Sequence, residues 1–172
     1  MEENTRGQAK DALWKLLRIG RITASTLKSV LSTNIMKPSV SLLKTICYPD
    51  MSYFSTQATR YGKKMEMVAL GQLTSVLIKC HREAKVYESG SILHKDFQQL
   101  AASPDAILQC ACCGNVPIEI KCPFIFRNEK DVFSRLVNSK SPYLVRTQHA
   151  YELVSNHKYY AQVQMQLAVT ES

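Results

Sequence analysis

At 172 residues, with 45% hydrophobic and 21% charged residues, the chain has the size and composition of one globular domain and not of a disordered chain. The 22 Lys and Arg against 14 Asp and Glu leave a net charge of +8, a field that attracts nucleic acid or an acidic membrane surface. The polar start MEENTRGQAKDALWK lacks a signal-peptide core, no run of about 18 apolar residues offers a membrane span, and six irregularly placed cysteines fit a reducing compartment. A soluble, intracellular domain with free thiols and no membrane partner is expected.

In chain order, residues 4–18 carry Leu13, Trp14, Leu16 and Leu17 among charges and predict a helix that stops near Gly20. Thr23 or Ser25 then caps a second helix running through Leu31, with the basic junction RIGRITAS between the two. Residues 32–55, rich in Ser, Thr and Pro, read as loop plus a short helix. From Thr56 to about Lys79 the pattern is helical, and Ala69, Leu70, Leu73 and Leu77 fall within about 60° of Glu66 on the helical wheel. A carboxylate inside an apolar stripe needs a cation, a metal or a donor beside it, unless it lies at the stripe's edge and reaches water. Residues 84–93, AKVYESGSIL, predict a strand with a Gly interruption, and AILQC and VPIEIKC predict a hairpin around CCGN. The tail from about Ala150 to Val169 fits a helix, but YYAQVQMQLAV also alternates with period two, so periodicity leaves strand open.

The hairpin carries the chemistry. Strand alternation puts Glu119 and Lys121 on one face and Ile118, Ile120 and Cys122 on the other. Folding back at the turn brings Asp105 opposite the Glu119 end, so two carboxylates converge beside an ammonium. Carboxylate oxygens plus a main-chain carbonyl suit Mg²⁺ or Mn²⁺. IEIK by itself is the pattern of any half-buried strand; Pro104-Asp105 and the stripe residue Glu66 are what point to a site.

RIGRITAS, YGKKMEMVA, ASPDAI, IEIKCPF and YYAQVQMQLAVT occur in that order over most of residues 18–170. Together they resemble the YqaJ-like viral recombinase family, related to lambda exonuclease, within the PD-(D/E)XK nuclease superfamily. The resemblance implies an α/β, restriction-endonuclease-like core: a small central mixed sheet flanked by helices in one domain over residues 1–172. That domain is cut short after TES with its last core strand missing. It also implies that Asp105 and Glu119 are metal ligands with the Ile120 carbonyl, that Lys121 is the catalytic lysine, and that Glu66 and the helix residue Gln162 complete the site. Arg18, Ser25 and Ser103 match positions that hold a terminal 5′ phosphate of DNA. The family's YYAQVQ segment is helical. The implied function is a Mg²⁺- or Mn²⁺-dependent deoxyribonuclease, a 5′-to-3′ exonuclease on duplex ends in recombination or repair. DNA is the implied partner, with a homo-oligomer and a single-strand annealing protein as further partners. The alternative is a nucleic-acid-binding module that keeps the fold without turnover.

Other residue groups carry weaker signals. Cys110, Cys112 and Cys113 are candidate zinc ligands with Cys122 or His94 as the fourth, although one Cys element is fewer than the two that zinc sites usually show. His81, His94, His149 and His157 form no catalytic signature and read as surface or packing residues. Tyr159 and Tyr160 suit either base stacking or the core. Arg60, Lys63 and Lys64 suit a phosphate track or a solvated face, and Asp96 reads as a loop residue or an additional acid.

Overall fold

The computed structural model describes residues 1–49, 55–148 and 150–172. Residues 50–54 of the expected loop, and His149, lie outside the described residues. Six α-helices are described: α1 (Ala12–Arg18), α2 (Leu27–Leu31), α3 (Val40–Cys47), α4 (Gln57–Cys80), α5 (Val132–Val137) and α6 (Lys158–Thr170). They accompany eight short strands: β1 (Ile22–Thr23), β2 (Lys85–Glu88), β3 (Ile92–Leu93), β4 (Leu100–Ala102), β5 (Ala106–Cys110), β6 (Gly114–Ile118), β7 (Leu144–Arg146) and β8 (Tyr151–Leu153). No described helix is long and apolar enough to cross a membrane.

The strands form a mixed sheet β1-β4-β3, an antiparallel sheet β2-β5-β6, and the separate hairpin β7-β8. In the mixed sheet β1 runs parallel to β4 and β3 antiparallel to it. The first two sheets meet where the chain passes from β4 to β5 through Ser103, Pro104 and Asp105. β5 is the central strand of its sheet, and Ala106, Ile107, Leu108 and Cys110 are all buried, which explains its nearly continuous apolar run. On the mixed sheet, α2 and α6 enclose a small core of Ala24, Ala102, Met165 and Val169, with Ile22, Leu27, Ile92 and Leu100 around it. Met165 is 4% exposed, and truncating such a side chain to Ala costs about 2–5 kcal/mol.

Several boundaries depart from the sequence reading for local reasons. The helix expected from residue 4 begins at Ala12, because Asp11 Oδ1 accepts the Leu13 and Trp14 N–H groups at 2.8 and 3.4 Å. Before that cap the chain makes two 3₁₀ turns, Glu3–Thr5 and Gln8–Lys10. Gly20, at φ +71°, ends the following turn as expected. Neither Thr23 nor Ser25 caps α2; Thr23 belongs to β1, and Thr26 at the cap position turns its hydroxyl back to the Thr23 carbonyl at 2.9 Å. The tail helix starts at Lys158 and not at Ala150, since residues 151–153 pair with β7 and His157 Nδ1 accepts the Tyr159 N–H.

The long helix α4 follows its sequence closely. Thr56 and Thr59 form a reciprocal capping box at its start. Tyr61, Met65, Glu66, Ala69, Leu70, Leu73 and Leu77 form its half-buried face, at the 3.6-residue period. No α4 residue is fully buried.

Candidate active site

The site lies where the base of the β5–β6 hairpin meets α4 and α6. Ala106 pairs with Ile118 in the ladder, and the Asp105 N–H donates to the Ile118 carbonyl at 3.0 Å. Asp105 therefore faces Glu119, one step past the last paired residues. There the ladder ends, and the Ile120 N–H turns inward to donate to Asp105 Oδ2 at 2.6 Å. Two carboxylates are thus fixed by main-chain register, and the acids expected together are together.

Glu119 is the most heavily held group. Its side chain is 10% exposed and forms an ion pair with Lys121. Gln162 Nε2 donates to its Oε1 and Gln166 Nε2 to its Oε2, both at 2.5 Å. The two glutamines lie four residues apart, on one face of α6. Gln162 was expected from the sequence. Gln166, 2% exposed, was not; the i, i+4 repeat in QVQMQ is the signal for it once the segment is helical.

Glu66 approaches from α4, and burial, then Glu119, pushes its carboxyl above the usual range. Asp105 is raised further, to about 7, by burial first and Glu119 second. Burial acts to lower the Lys121 ammonium, but its pairing with Glu119 and the field of Asp105 outweigh this and hold it above the ordinary lysine value. Lys121 also lies 5.0 Å from the centroid of the Tyr159 ring. Three acids share one lysine within a half-buried site. This excess of oxygen donors and negative charge is the chemistry a hard divalent cation takes, with Asp105, Glu119 and Glu66 as candidate ligands, although among the described residues the three acids are not drawn into one tight ligand cluster as His81 and the hairpin cysteines are.

Clefts open on both sides of Glu66. One, of about 480 Å³, includes Lys63, Lys64, Glu66, Asp105 and Ile120 in its wall. The other, of about 620 Å³, includes Lys63, Glu66, Lys121, Cys122 and Tyr159. A third cleft of about 500 Å³ brings Arg18 and Ser25 together with Lys10, Lys15 and Lys63. Ser103 joins this group through Trp14, whose Nε1 donates to Ser103 Oγ at 2.9 Å while the Arg18 guanidinium lies over its ring at 4.3 Å. Lys63 lines all three clefts, so basic residues run from the Arg18 cleft to the acids. Trp14 is a second residue that the sequence did not mark for this region.

The remaining candidates sort by place. Tyr159 packs edge-on against Tyr143 and His157. Asp96 sits in the turn between β3 and β4, where its N–H donates to His94 Nδ1. Cys122 lines the acid cleft and His94 stacks near Phe97, so neither joins Cys110, Cys112 and Cys113 at the other end of the hairpin. That position belongs to His81.

Known proteins resemble this chain along nearly all of its length. Two baculovirus alkaline nucleases align over 98% of it: that of Orgyia pseudotsugata multicapsid polyhedrosis virus at 31% identity, and that of Autographa californica nuclear polyhedrosis virus at 26%. The chain spans only 40% and 41% of those relatives. Among solved structures, an alkaline exonuclease from Laribacter hongkongensis superposes with a TM-score of 0.55 at 22% identity, over 92% of this chain and 68% of that one. The same enzyme in complex with dAMP gives 0.57. The mixed α/β, restriction-endonuclease-like fold expected from the sequence is therefore the fold observed. With the model of the YqaJ-like viral recombinase domain matching residues 13–172, a span that contains every acid, lysine and glutamine of this site, the chain belongs to that family.

Proposed function

We propose that this domain is a metal-dependent deoxyribonuclease that degrades duplex DNA from the 5′ end in recombination or repair. The observation that carries the reading is the convergence of Asp105, Glu119 and Glu66 beside Lys121, at the meeting of clefts lined with basic residues. The alkaline nuclease relatives and the alkaline exonuclease fold support it. The presence of all three acids and the lysine favours turnover over a binding module without chemistry.

Asp105, Glu119 and the Ile120 carbonyl would hold Mg²⁺ or Mn²⁺, with Glu66 completing the set. The bound ion supplies Lewis-acid polarisation of the scissile phosphate and acidifies the attacking water. The protein's own residues prepare the ground for this. Gln162 and Gln166 fix both oxygens of Glu119, so its orientation is set before substrate arrives. Lys121 stays an ammonium well above neutral pH, which suits it to donate a hydrogen bond to the water or to the charged phosphoryl oxygens, and not to act as a base. Arg18 offers a planar fork for a terminal phosphate, with Ser25 in the same cleft and Ser103 linked to it by Trp14. A phosphate held there, two residues from Asp105 along the chain, would place the first scissile bond at the acids.

The test uses end-labelled duplexes with 5′-phosphate and 5′-hydroxyl termini, incubated with Mg²⁺, Mn²⁺ or EDTA. Stepwise shortening from the 5′-phosphorylated end with metal, and none in EDTA, is expected. Arg18→Ala should reduce the preference for the phosphorylated end by about tenfold, the worth of one charge-assisted contact. Salt-sensitive DNA binding with no cleavage in either metal would establish the non-catalytic module instead. Cleavage at equal rates from both ends would remove the terminal-phosphate pocket.

A further inference from the structure

At the end of the hairpin away from the acids, His81, Cys110, Cys112 and Cys113 gather their ligand atoms within 4.8 Å of one another. His81 Nδ1 lies 3.3 Å from Cys112 Sγ and 3.6 Å from both Cys110 Sγ and Cys113 Sγ, and the Cys110 and Cys112 sulfurs are 3.5 Å apart. Ligands about 2.3 Å (sulfur) and about 2.0–2.1 Å (nitrogen) from a tetrahedral zinc are separated by roughly 3.5–3.8 Å, and the four contacts here, at 3.3–3.6 Å, lie within or just below that range. We propose that this cluster is a structural Zn²⁺ site of the Cys₃His type, independent of the nuclease reading.

The fold builds the site deliberately. His81 is the residue that caps the C-terminal end of α4, and the three cysteines occupy the end of β5 and the turn that follows. β2 starts four residues after His81 and pairs Lys85 with Gln109, which carries the end of α4 to the hairpin tip. There the Ala111 N–H donates to the Arg82 carbonyl at 3.0 Å. Gly114, at φ +73°, closes the turn. Three soft thiolates and an imidazole select zinc over the hard ions suited to the acid site, and four protein ligands leave no open position for chemistry.

The clamp meets a need of the fold. α4 is 24 residues long and has no fully buried residue, yet it must hold Glu66 against Asp105 and Glu119. His81 lies 15 residues beyond Glu66, about 22 Å along the helix axis, and Cys110 lies about 17 Å along β5 from Asp105. Zinc there fastens the far ends of the two elements that bring the acids together.

The experiment is zinc analysis of the whole chain, purified under reducing conditions without chelators, with Co²⁺ substitution as the spectroscopic probe. About one zinc per chain is expected, and the Co²⁺ form should show tetrahedral d–d bands with strong thiolate-to-metal charge transfer. Cys112→Ser and His81→Ala should lower zinc to background, whereas Cys122→Ser, His94→Ala and Glu119→Ala should retain it together with the cobalt spectrum. Should the first two variants fail to fold, titration of the native protein with a mercurial should release one zinc per chain, the release lagging behind modification of the exposed thiols Cys47 and Cys80. Zinc removal should lower Tm by on the order of 10 °C, recovered on adding Zn²⁺. Reduced protein that contains no zinc and gains no stability from it, zinc retained in Cys112→Ser, or a Cys112–Cys113 disulfide in protein prepared without oxygen would each overturn the proposal.

Discussion

The two ends of the β5–β6 hairpin place titratable groups against the same helix and use them in opposite ways. At the base, Asp105 and Glu119 meet Glu66 in a half-buried setting of hard oxygen donors, where burial first and the neighbouring carboxylates second push Asp105 and Glu66 toward the protonated form. At the tip, Cys110, Cys112 and Cys113 meet His81, with two of the three thiols exposed. The base carries more negative charge than Lys121 can balance and is lined by open clefts; the tip is saturated by its own four ligands. On the proposed readings, one helix–hairpin pair separates a reactive end from a fastening end, and the separation should be testable by changes made at one end alone.

The largest effect is expected from Glu119→Ala. It removes a carboxylate fixed by Lys121, Gln162 and Gln166 and should lower cleavage by at least about 10³-fold, read from labelled duplex. The circular dichroism spectrum should remain native, because the substitution also relieves repulsion on Asp105 and Glu66. Full activity in this variant would mean that the base of the hairpin is not the reactive end.

Gln166→Leu should have a smaller effect and sharpens the distinction between holding a ligand and being one. A donor that orients a ligating carboxylate is typically worth about 10–100-fold. The loss should be partly restored by raising Mg²⁺ or Mn²⁺, a response that a general packing defect would not give. Gln166→Asn, which shortens the reach but keeps the amide, should fall between the two.

The smallest effect is on stability and concerns charge at the base. The Asp105 carboxyl, held up to about 7 in the folded state against an ordinary 3.8, favours the folded protein in its protonated form. That contribution is fully present below about pH 4 and lost as pH rises through 7. Without added divalent cation, the native protein should therefore lose stability from pH 4 to 8. Asp105→Asn should flatten that slope, leaving Tm at pH 8 roughly 5 °C above the native value while pH 4 shows little difference. Equal pH slopes for both proteins would show that Asp105 is not held uncharged by its neighbours.

The contrast between the ends also explains what the sequence could reveal. Asp105 and Glu119 were legible because hairpin pairing is local, and Glu66 because a carboxylate in an apolar stripe is conspicuous; the strand expected through Cys122 ends at Ile118, so Lys121 reaches Glu119 from beyond the ladder and not by strand alternation. Gln166 was hidden by the helix-or-strand ambiguity of YYAQVQMQLAV: as a strand it shares a face with Gln162 and Gln164, as a helix with Gln162 alone. His81 was hidden differently. It lies 29 to 32 residues before the cysteines, just past a helix end, and only the pairing of β2 with β5 brings it to them. Trp14 and Ser103 are 89 residues apart, beyond any local pattern. The strands β1 and β4 were invisible for a related reason: two or three residues carry no periodicity, and partners from distant segments define them, whereas β2 and β3 are the two parts of the interrupted strand expected over 84–93.

The segment ahead of α1 has a consequence in time. Thr5 is fully buried, and its hydroxyl accepts the Ser91 N–H, 86 residues later. The Gly90 N–H donates to Glu2 at a separation of 88, and Gln8 Nε2 reaches the Ser89 and Pro104 carbonyls. A Cβ on Gly90 would lie 1.9 Å from the Glu2 carbonyl oxygen, so the approach admits only glycine. During synthesis at about 5–20 residues per second, these early residues wait several seconds for their partners. Glu119 waits in turn for Gln162 and Gln166. Contacts this distant in sequence slow folding, and the acid cluster stays incomplete until α6 has been made and docked.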